Sequence, residues 1–165
     1  MDKDLFIVRI ESKYCDYLRK YEPKVPYNYG SKELRPFVGV LFEVADKMYF
    51  APLSSPKEKH LHLKNYIDLL KIDEGKLGVI NFNNMIPVKE KSIIYIDLDI
   101  ITKKTDEIKY YKLLKEQIFW LNRHKDKLYT RSKKLYDKYN NDTLPKNIKD
   151  RCCNYLLLEE LCAKY

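Results

Sequence analysis

Two serines, a proline and a lysine follow a strongly patterned strand, and their side chains suit the binding of a phosphate group. The stretch YFAPLSSPKEKH places Ser54, Ser55 and Lys57 where the strand ends and backbone N–H groups are released from pairing. Hydroxyl and N–H donors can hold a phosphate whose charge a lysine neutralises. The same residues also make a good turn, because Ser-Ser-Pro is common turn chemistry. Both interpretations stay open from these residues alone.

RNA is a substrate that such groups can cleave without a metal. Its own 2′-hydroxyl can attack the adjacent phosphate, so a protein need only align the attack, stabilise the phosphorane and assist proton transfer. Hydroxyl, lysine, arginine and tyrosine side chains suffice, and tyrosine rings also stack on unpaired bases. His60 and His62 would share one face of an extended segment and could then act as acid and base. We predict no metal and no cofactor, because the sequence lacks the usual metal-binding, nucleotide-binding and nucleophile motifs.

The secondary structure that the sequence predicts around these residues indicates an α+β fold. Short apolar runs separated by turn residues predict a compact, strongly curved antiparallel β-sheet or partial barrel in about residues 1–100. Pro52 predicts a sheet edge or a strand end at its position. A short helix is expected to begin with Ser12 as its N-cap.

The helical part of the chain is expected in about residues 101–165. Apolar residues recur at spacings of three, four or seven from Ile108 to Tyr139, which predicts one long amphipathic C-terminal helix of about thirty residues. Additional short helices follow in the sequence. We expect a single domain, 1–165, because a chain of this length forms one core.

Positive charge is concentrated in the second part of the sequence. Residues 101–165 carry 16 Lys and Arg against 9 Asp and Glu, while residues 1–100 carry 16 against 15. This asymmetry indicates a polyanionic partner, with Lys127, Arg131 and Lys134 on the helix that would bind it. A solvated helix face, or the codon bias of an AT-rich genome, explains the same charge.

The cysteines and the apolar segments predict where the protein is found. The four cysteines show no metal-ligand spacing, so we expect structural thiols in a reducing compartment. The N-terminal sequence lacks the pattern of a secretory signal, and no apolar run is long enough to span a membrane. We therefore expect a soluble cytoplasmic protein with no membrane partner.

Several segments, in their order and spacing, resemble the ToxN/AbiQ family, the protein toxins of type III toxin–antitoxin systems. They are SKYCDYLRKY, a tyrosine-bearing loop, RPFVGVLFEV, YFAPLSSPKEKH and KLGVINFNNMIPV. The resemblance implies a metal-independent endoribonuclease that leaves a 2′,3′-cyclic phosphate and a 5′-hydroxyl. It implies an inhibitory antitoxin RNA, cut by the toxin from tandem repeats into pseudoknot units and bound in a closed heteromeric assembly. It also implies cellular and phage RNA as substrates, and abortive infection as a role.

The resemblance assigns roles to particular residues. The family's Thr/Ser-Ser-Pro-Lys motif falls on residues 54–57, and its cation before the Phe-x-Gly strand falls on Arg35, which we expect to act electrostatically. Its loop tyrosine falls on Tyr29, with Tyr27 as the alternative. The residues predicted to be catalytic are Ser54, Ser55, Lys57, Tyr14, Arg35 and Tyr29. Those predicted to bind RNA are Tyr27, Lys32, Lys59, Lys127, Arg131 and Lys134.

Two other classes of protein remain as alternatives. A non-catalytic RNA-binding module would use the same basic helix and tyrosines but would generate no new RNA ends. A protein-interaction domain, whose charge reflects only genome composition, would show no salt-dependent affinity for RNA.

Overall fold

The computed structural model of the protein describes residues 3–27 and 35–165, and within these ranges an antiparallel sheet is combined with helices. The strands are β1 Phe6–Ile10, β2 Phe37–Gly39, β3 Glu43–Val44, β4 Lys47–Ser54, β5 Leu69–Lys71, β6 Val79–Asn81, β7 Ile86–Val88 and β8 Ile93–Tyr95. The helices are α1 Ser12–Arg19, α2 Glu58–His62, α3 Thr105–Arg123, α4 Lys125–Asn140, α5 Lys146–Lys149 and α6 Tyr155–Lys164. The strand order is β5-β6-β4-β2-β1-β8, with β3 and β7 also paired to β4, and the sheet is not closed. The predicted α+β class is confirmed.

β4 is the central strand, because it pairs with β2 and β3 along one side and with β7 and β6 along the other. The strand end predicted near Pro52 is confirmed at Ser54, but Pro52 does not mark a sheet edge. The N–H groups of Tyr49 and Leu53 donate towards the β2 side, so the nitrogen of Pro52 faces the other side. On that side the partner changes from β7, paired through Phe50, to β6, paired from Leu53. A proline is tolerated there because the gap between the two partners requires no donor.

The predicted long helix is divided into α3 and α4 at His124, whose φ is −120°. In an unbroken helix the His124 N–H would donate to the Trp120 carbonyl. It donates instead to Leu121, and the His124 Nδ1 lies 2.8 Å from the Trp120 carbonyl oxygen. The two rings stack with their centroids 3.9 Å apart. The His124 side chain thus contacts the Trp120 carbonyl in place of the His124 backbone N–H, and α3 ends there.

Three elements meet at a shared, half-buried carboxylate. The hydroxyls of Tyr49 on β4 and Tyr136 on α4 each donate to Glu159 Oε1 of α6, at 2.6 Å. Burial, reinforced by the Glu159 hydrogen bond, raises the pKa of Tyr136 to about 12, so this phenol keeps its proton at neutral pH.

The four cysteines are buried and form no disulfide. Burial raises the pKa of Cys15 to about 12 and that of Cys152 to about 11, which keeps both thiols protonated and unreactive, as expected of structural thiols. In the described ranges, none of the helices is both long enough and apolar enough to cross a membrane.

Candidate active site

Four of the predicted site residues line one open cavity of about 350 Å³ at the end of β4. Ser54 is the last residue of β4, Ser55 and Lys57 lie between β4 and α2, and Arg35 precedes β2. The antiparallel register that places Phe37 opposite Pro52 brings the residues before β2 beside those after β4. Residues far apart in sequence therefore meet at one end of the sheet.

The opposite side of the cavity is formed by α3, which the sequence did not assign to the site. Tyr110, Leu113, Leu114 and Gln117 line it there. Gln117 is 1% exposed, and its Nε2 donates to the Leu77 carbonyl at 2.8 Å, which ties α3 to the start of β6. The spacing of Tyr110, Leu114 and Gln117 marks one helix face, but it does not reveal what that face meets.

β6 fixes the position of Ser54. Asn81 Nδ2 donates to Ser54 Oγ at 3.0 Å, so the serine hydroxyl keeps its own hydrogen to donate elsewhere. Gly78 has φ of +102°, and a Cβ on it would lie 2.0 Å from the Ser54 carbonyl oxygen. Only glycine lets the chain pass this closely to the strand end. Ser54 is thus held from two directions.

The cavity is electropositive. Among the described residues that line it, Arg35 and Lys57 carry positive charge and none carries negative charge. Partial burial lowers the pKa of Arg35, but a guanidinium remains charged at any physiological pH. Ser55 is exposed at the mouth. Two cations beside two hydroxyls form an arrangement that suits a phosphate.

The two histidines do not form the acid and base pair that an extended segment would have allowed. Residues 58–62 form α2, and residues two apart on a helix do not face each other. His62 is exposed, whereas His60 is 2% exposed and its Nδ1 accepts a hydrogen bond from the Lys57 N–H at 3.1 Å. Within residues 3–27 and 35–165, no three His, Cys, Asp or Glu side chains are arranged to hold a metal ion.

The structure places Tyr14 in the core and not in the cavity, which corrects its predicted catalytic role. The side chain is 1% exposed, and its hydroxyl donates to the Pro87 carbonyl at 2.5 Å. Burial raises the pKa of Tyr14 far above its ordinary value. Tyr14, Cys15 and Leu18 form the buried face of α1, and this helical spacing was the available sign of a core position.

The remaining predicted residues lie elsewhere. Tyr27 is 54% exposed, with the Arg19 guanidinium 4.5 Å from its ring centroid, and it does not line the cavity. Lys59 is exposed on α2 and does not line the cavity either. Tyr29 and Lys32 lie outside the described residues.

Lys127, Arg131 and Lys134, here called the basic face, line a second cavity, of about 630 Å³, between α4 and residues 65–67. Arg131 donates a hydrogen bond to the Tyr66 carbonyl. The Tyr66 ring is 48% exposed, and the guanidinium of Arg151 lies 5.5 Å from its centroid. The basic face therefore borders an aromatic surface that the sequence did not point to.

Comparison with known proteins gives consistent matches along the chain. Residues 6–163 match the family model described as toxin ToxN of the type III toxin–antitoxin system. The chain is 34% identical to endoribonuclease ToxN of Bacillus thuringiensis subsp. kurstaki, over 94% of this chain and 81% of that protein. It is 28% identical to endoribonuclease AbiQ of Lactococcus lactis subsp. lactis, over 94% of this chain and 86% of that protein.

Solved structures show the same fold. One concerns type III toxin–antitoxin systems and selective toxin inhibition by a non-coding RNA pseudoknot; the TM-score is 0.81 at 31% identity, covering 99% of this chain and 98% of that one. Another is AbiQ, a lactococcal anti-phage endoribonuclease belonging to the type III toxin–antitoxin system. It gives a TM-score of 0.82 at 26% identity, with the same coverage of the two chains.

Proposed function

The chain belongs to the ToxN family of type III toxin–antitoxin toxins, and on that premise we propose that it is an endoribonuclease whose active site is the cavity at the end of β4. One observation carries the proposal. Arg35, Ser54, Ser55 and Lys57 come from two separate segments and line the same cavity, which α3 closes on its other side. Charge and hydrogen-bond donors therefore converge where a phosphate can enter.

The reaction begins with attack of the 2′-hydroxyl oxygen on the adjacent phosphorus. The new O2′–P bond forms as the P–O5′ bond breaks, giving a 2′,3′-cyclic phosphate and a 5′-hydroxyl. The 2′-hydroxyl loses its proton, and the departing 5′-oxygen takes one up. No redox change or metal is needed for this balance, because the nucleophile belongs to the substrate.

The protein stabilises this reaction through donors and charge. Ser55 positions the 2′-hydroxyl or holds a phosphate oxygen, and Ser54 directs its free hydrogen to the phosphate. Arg35 and Lys57 stabilise the charge that builds on the phosphorane. Tyr110, and Tyr29 from outside the described residues, offer ring surfaces to the flanking nucleotides.

The basic face is proposed to bind the antitoxin RNA. Positive side chains neutralise backbone phosphates, and the exposed ring of Tyr66 can stack on an unpaired base. One solved relative concerns selective toxin inhibition by a non-coding RNA pseudoknot, which supports an RNA of this kind as the inhibitor here. We further propose that the toxin cuts this RNA from tandem repeats and is held with it in a closed assembly. We propose that the protein acts in the cytoplasm on cellular and phage RNA and causes abortive infection.

Replacement of Ser55 by alanine tests the active site. We expect Ser55→Ala to lower RNA cleavage by about 100-fold or more, since removal of one donor to a developing charge has an effect of this size. Affinity for the antitoxin RNA should be retained, because Ser55 is remote from the basic face in sequence and lines a different cavity. The measurements are single-turnover cleavage and sequencing of RNA 5′-hydroxyl ends after a brief pulse of expression.

Ser12→Ala is the matched control, since Ser12 does not line the cavity. The prediction that Ser12 is the N-cap of α1 was wrong, because Glu11 occupies that position and Ser12 is the first residue of the helix, so its loss removes no cap. Full cleavage by Ser55→Ala would show that the chemistry lies elsewhere. If the native protein binds RNA but generates no new 5′-hydroxyl ends, only the alternative of a non-catalytic RNA-binding module remains.

A further inference from the structure

His60 is a buried side chain that the mechanism above does not use. Its Nδ1 accepts the backbone N–H of Lys57 at 3.1 Å, and its own backbone N–H donates to the Lys57 carbonyl at 2.9 Å. Both backbone polar groups of Lys57 are therefore bonded to a single residue. Lys57 in turn lines the cavity together with Ser54 and Ser55.

The arrangement is the reciprocal bonding that starts a helix. Lys57 precedes α2, and His60 is the third residue of α2, where a glutamate or glutamine usually reaches back to the preceding N–H. A five-residue helix has little stability of its own, so local bonds decide where it begins. Here the imidazole supplies the acceptor.

A neighbouring turn holds His60 in place. Residues Asp73–Gly75 form a tight turn against it, and a Cβ on Gly75 would lie 2.4 Å from the His60 carbonyl oxygen. Gly75 has φ of +92°, a conformation that glycine adopts without strain. The His60 backbone is thus packed against fixed structure and can serve as a support for Lys57.

We propose that His60 is a positioning residue, which fixes the backbone of Lys57 and thereby the place of the Lys57 ammonium beside Ser54 and Ser55. The inference rests on the proposed function of the cavity and adds a residue to it. It requires a neutral imidazole, because a protonated ring has two donors and no acceptor for the Lys57 N–H.

The surroundings of His60 keep the ring neutral. Burial first, and then the charges of Lys59 and Lys57, lower the pKa of His60 below its ordinary value. The other ionisable side chains of α2 are those of Glu58 and His62, and those of the packed turn and the residue after it are Asp73, Glu74 and Lys76.

The sign of the pH effect follows from this lowered pKa. As the pH falls through the ordinary histidine range, the His60 imidazole becomes protonated in the unfolded chain at a higher pH than in the folded protein. The contribution of neutral His60 to the free energy of unfolding is complete at a pH above the ordinary histidine range. It declines as the pH falls towards the pKa of His60 in the folded protein. Below the folded pKa the imidazolium releases the Lys57 N–H, so cleavage should decline on the acidic side.

Two variants separate positioning from simple folding support. In His60→Asn, Oδ1 stands near the place of Nδ1 and accepts the same N–H without titrating. His60→Leu keeps the bulk and has no acceptor. Single-turnover cleavage of an RNA oligonucleotide is measured between about pH 5 and pH 8, with urea unfolding and antitoxin RNA affinity measured on the same samples.

We expect native protein to lose cleavage on the acidic side and His60→Asn to keep its neutral-pH rate without that acidic decline. His60→Leu should cleave at least about 10-fold more slowly than the native protein at neutral pH, and the difference should shrink on the acidic side, where the native ring also loses its acceptor. The loss should lie in the maximal single-turnover rate and not in the protein concentration needed for half of it, because a misplaced ammonium weakens the transition state. In a Lys57→Ala background, His60→Leu should cause no further loss, since residues acting through one group are not additive.

A folded His60→Leu protein that cleaves at the native rate, or an acidic decline that persists in His60→Asn, would overturn the inference. If His60→Leu does not fold, the pH profile of His60→Asn still decides. Failure of the native protein to cleave RNA would instead refute the proposed function, so the two failures are distinguishable.

Discussion

At the residue scale, Arg35 differs from Lys57 in what it can do to a phosphate. A guanidinium presents a planar fork of donors, remains charged and does not serve as a proton donor, whereas an ammonium is a point charge that can lose its proton. Arg35 lines the cavity and is partly buried, so its charge acts where solvent screening is reduced.

We expect Arg35→Ala to lower cleavage by about 100-fold, equivalent to about 3 kcal/mol of transition-state stabilisation. Arg35→Lys should retain an intermediate rate, because charge remains but an ammonium cannot form the paired hydrogen bonds of the guanidinium fork. Single-turnover cleavage measures both variants, with Lys20→Ala as an exposed control outside the cavity. A native rate in Arg35→Ala would remove Arg35 from the mechanism.

At the scale of elements, the end of β4 depends on the turn that leads into β6. Gly78 lies against the Ser54 carbonyl with a positive φ, so any side chain there meets both steric conflict and backbone strain. Because Ser54 pairs with Val79, a shift of this turn would also move the Ser54 hydroxyl.

We expect Gly78→Ala to lower the free energy of unfolding by about 2 kcal/mol or more, and cleavage by more than the loss of folded protein explains. Urea unfolding at neutral pH provides the first measurement. Lys76→Ala, an exposed change two positions earlier, should stay within about 0.5 kcal/mol of the native protein. Equal stability of the two variants would contradict this account of the turn.

Individual elements show what the sequence could and could not predict. The apolar runs at residues 5–10, 77–82 and 85–88 predict strands because turn residues bound them, and β1, β6 and β7 lie within these runs. β5 was missed because it lies in the segment YIDLLKID, whose apolar residues are spaced in a way that fits one or two helical turns as well as a strand. The break at His124 was missed because Leu121, Leu128 and Leu135 keep a seven-residue spacing on both sides of it and are all buried.

The residues of the cavity also divide into those that the sequence could predict and those that it could not. Ser54, Ser55 and Lys57 could be predicted together because they are close in the sequence. Arg35 was predicted from the resemblance to the family, whose cation before the Phe-x-Gly strand falls on it. Tyr110 and Gln117 could not be predicted, because their place depends on how α3 packs on the sheet. Tyr14 was predicted because the resemblance places the family's active-site tyrosine on the SKY segment, and a match of residue type and order does not show which face of the helix is buried.

At the scale of the whole molecule, RNA recognition is proposed to be electrostatic over a wide surface. The net charge is +8, and the basic face contributes three cations beside the exposed Tyr66 ring. Each phosphate that the protein neutralises releases counterions, so affinity should fall as salt concentration rises.

We expect the triple variant of Lys127, Arg131 and Lys134 to glutamate to bind antitoxin RNA at least about 100-fold more weakly. The slope of log affinity against log salt should decrease by about 0.7 to 0.9 for each phosphate that is no longer neutralised. Binding across a salt series measures both, and glutamate at exposed Lys20, Lys103 and Lys146 provides a charge-matched control. An unchanged slope would identify the basic face as a solvated helix surface only.

Because the cavity has two sides from distant parts of the chain, it is completed only late in synthesis. Ribosomes make residues 35–57 well before residues 110–117, so a growing chain carries the serines and cations while α3 is still missing. Until that helix emerges and docks, the groups proposed to bind the phosphate would lie on an open surface exposed to water. With the active site proposed above, cleavage would begin only once α3 has docked, and a partly synthesised chain would spare the ribosome-bound message that encodes it.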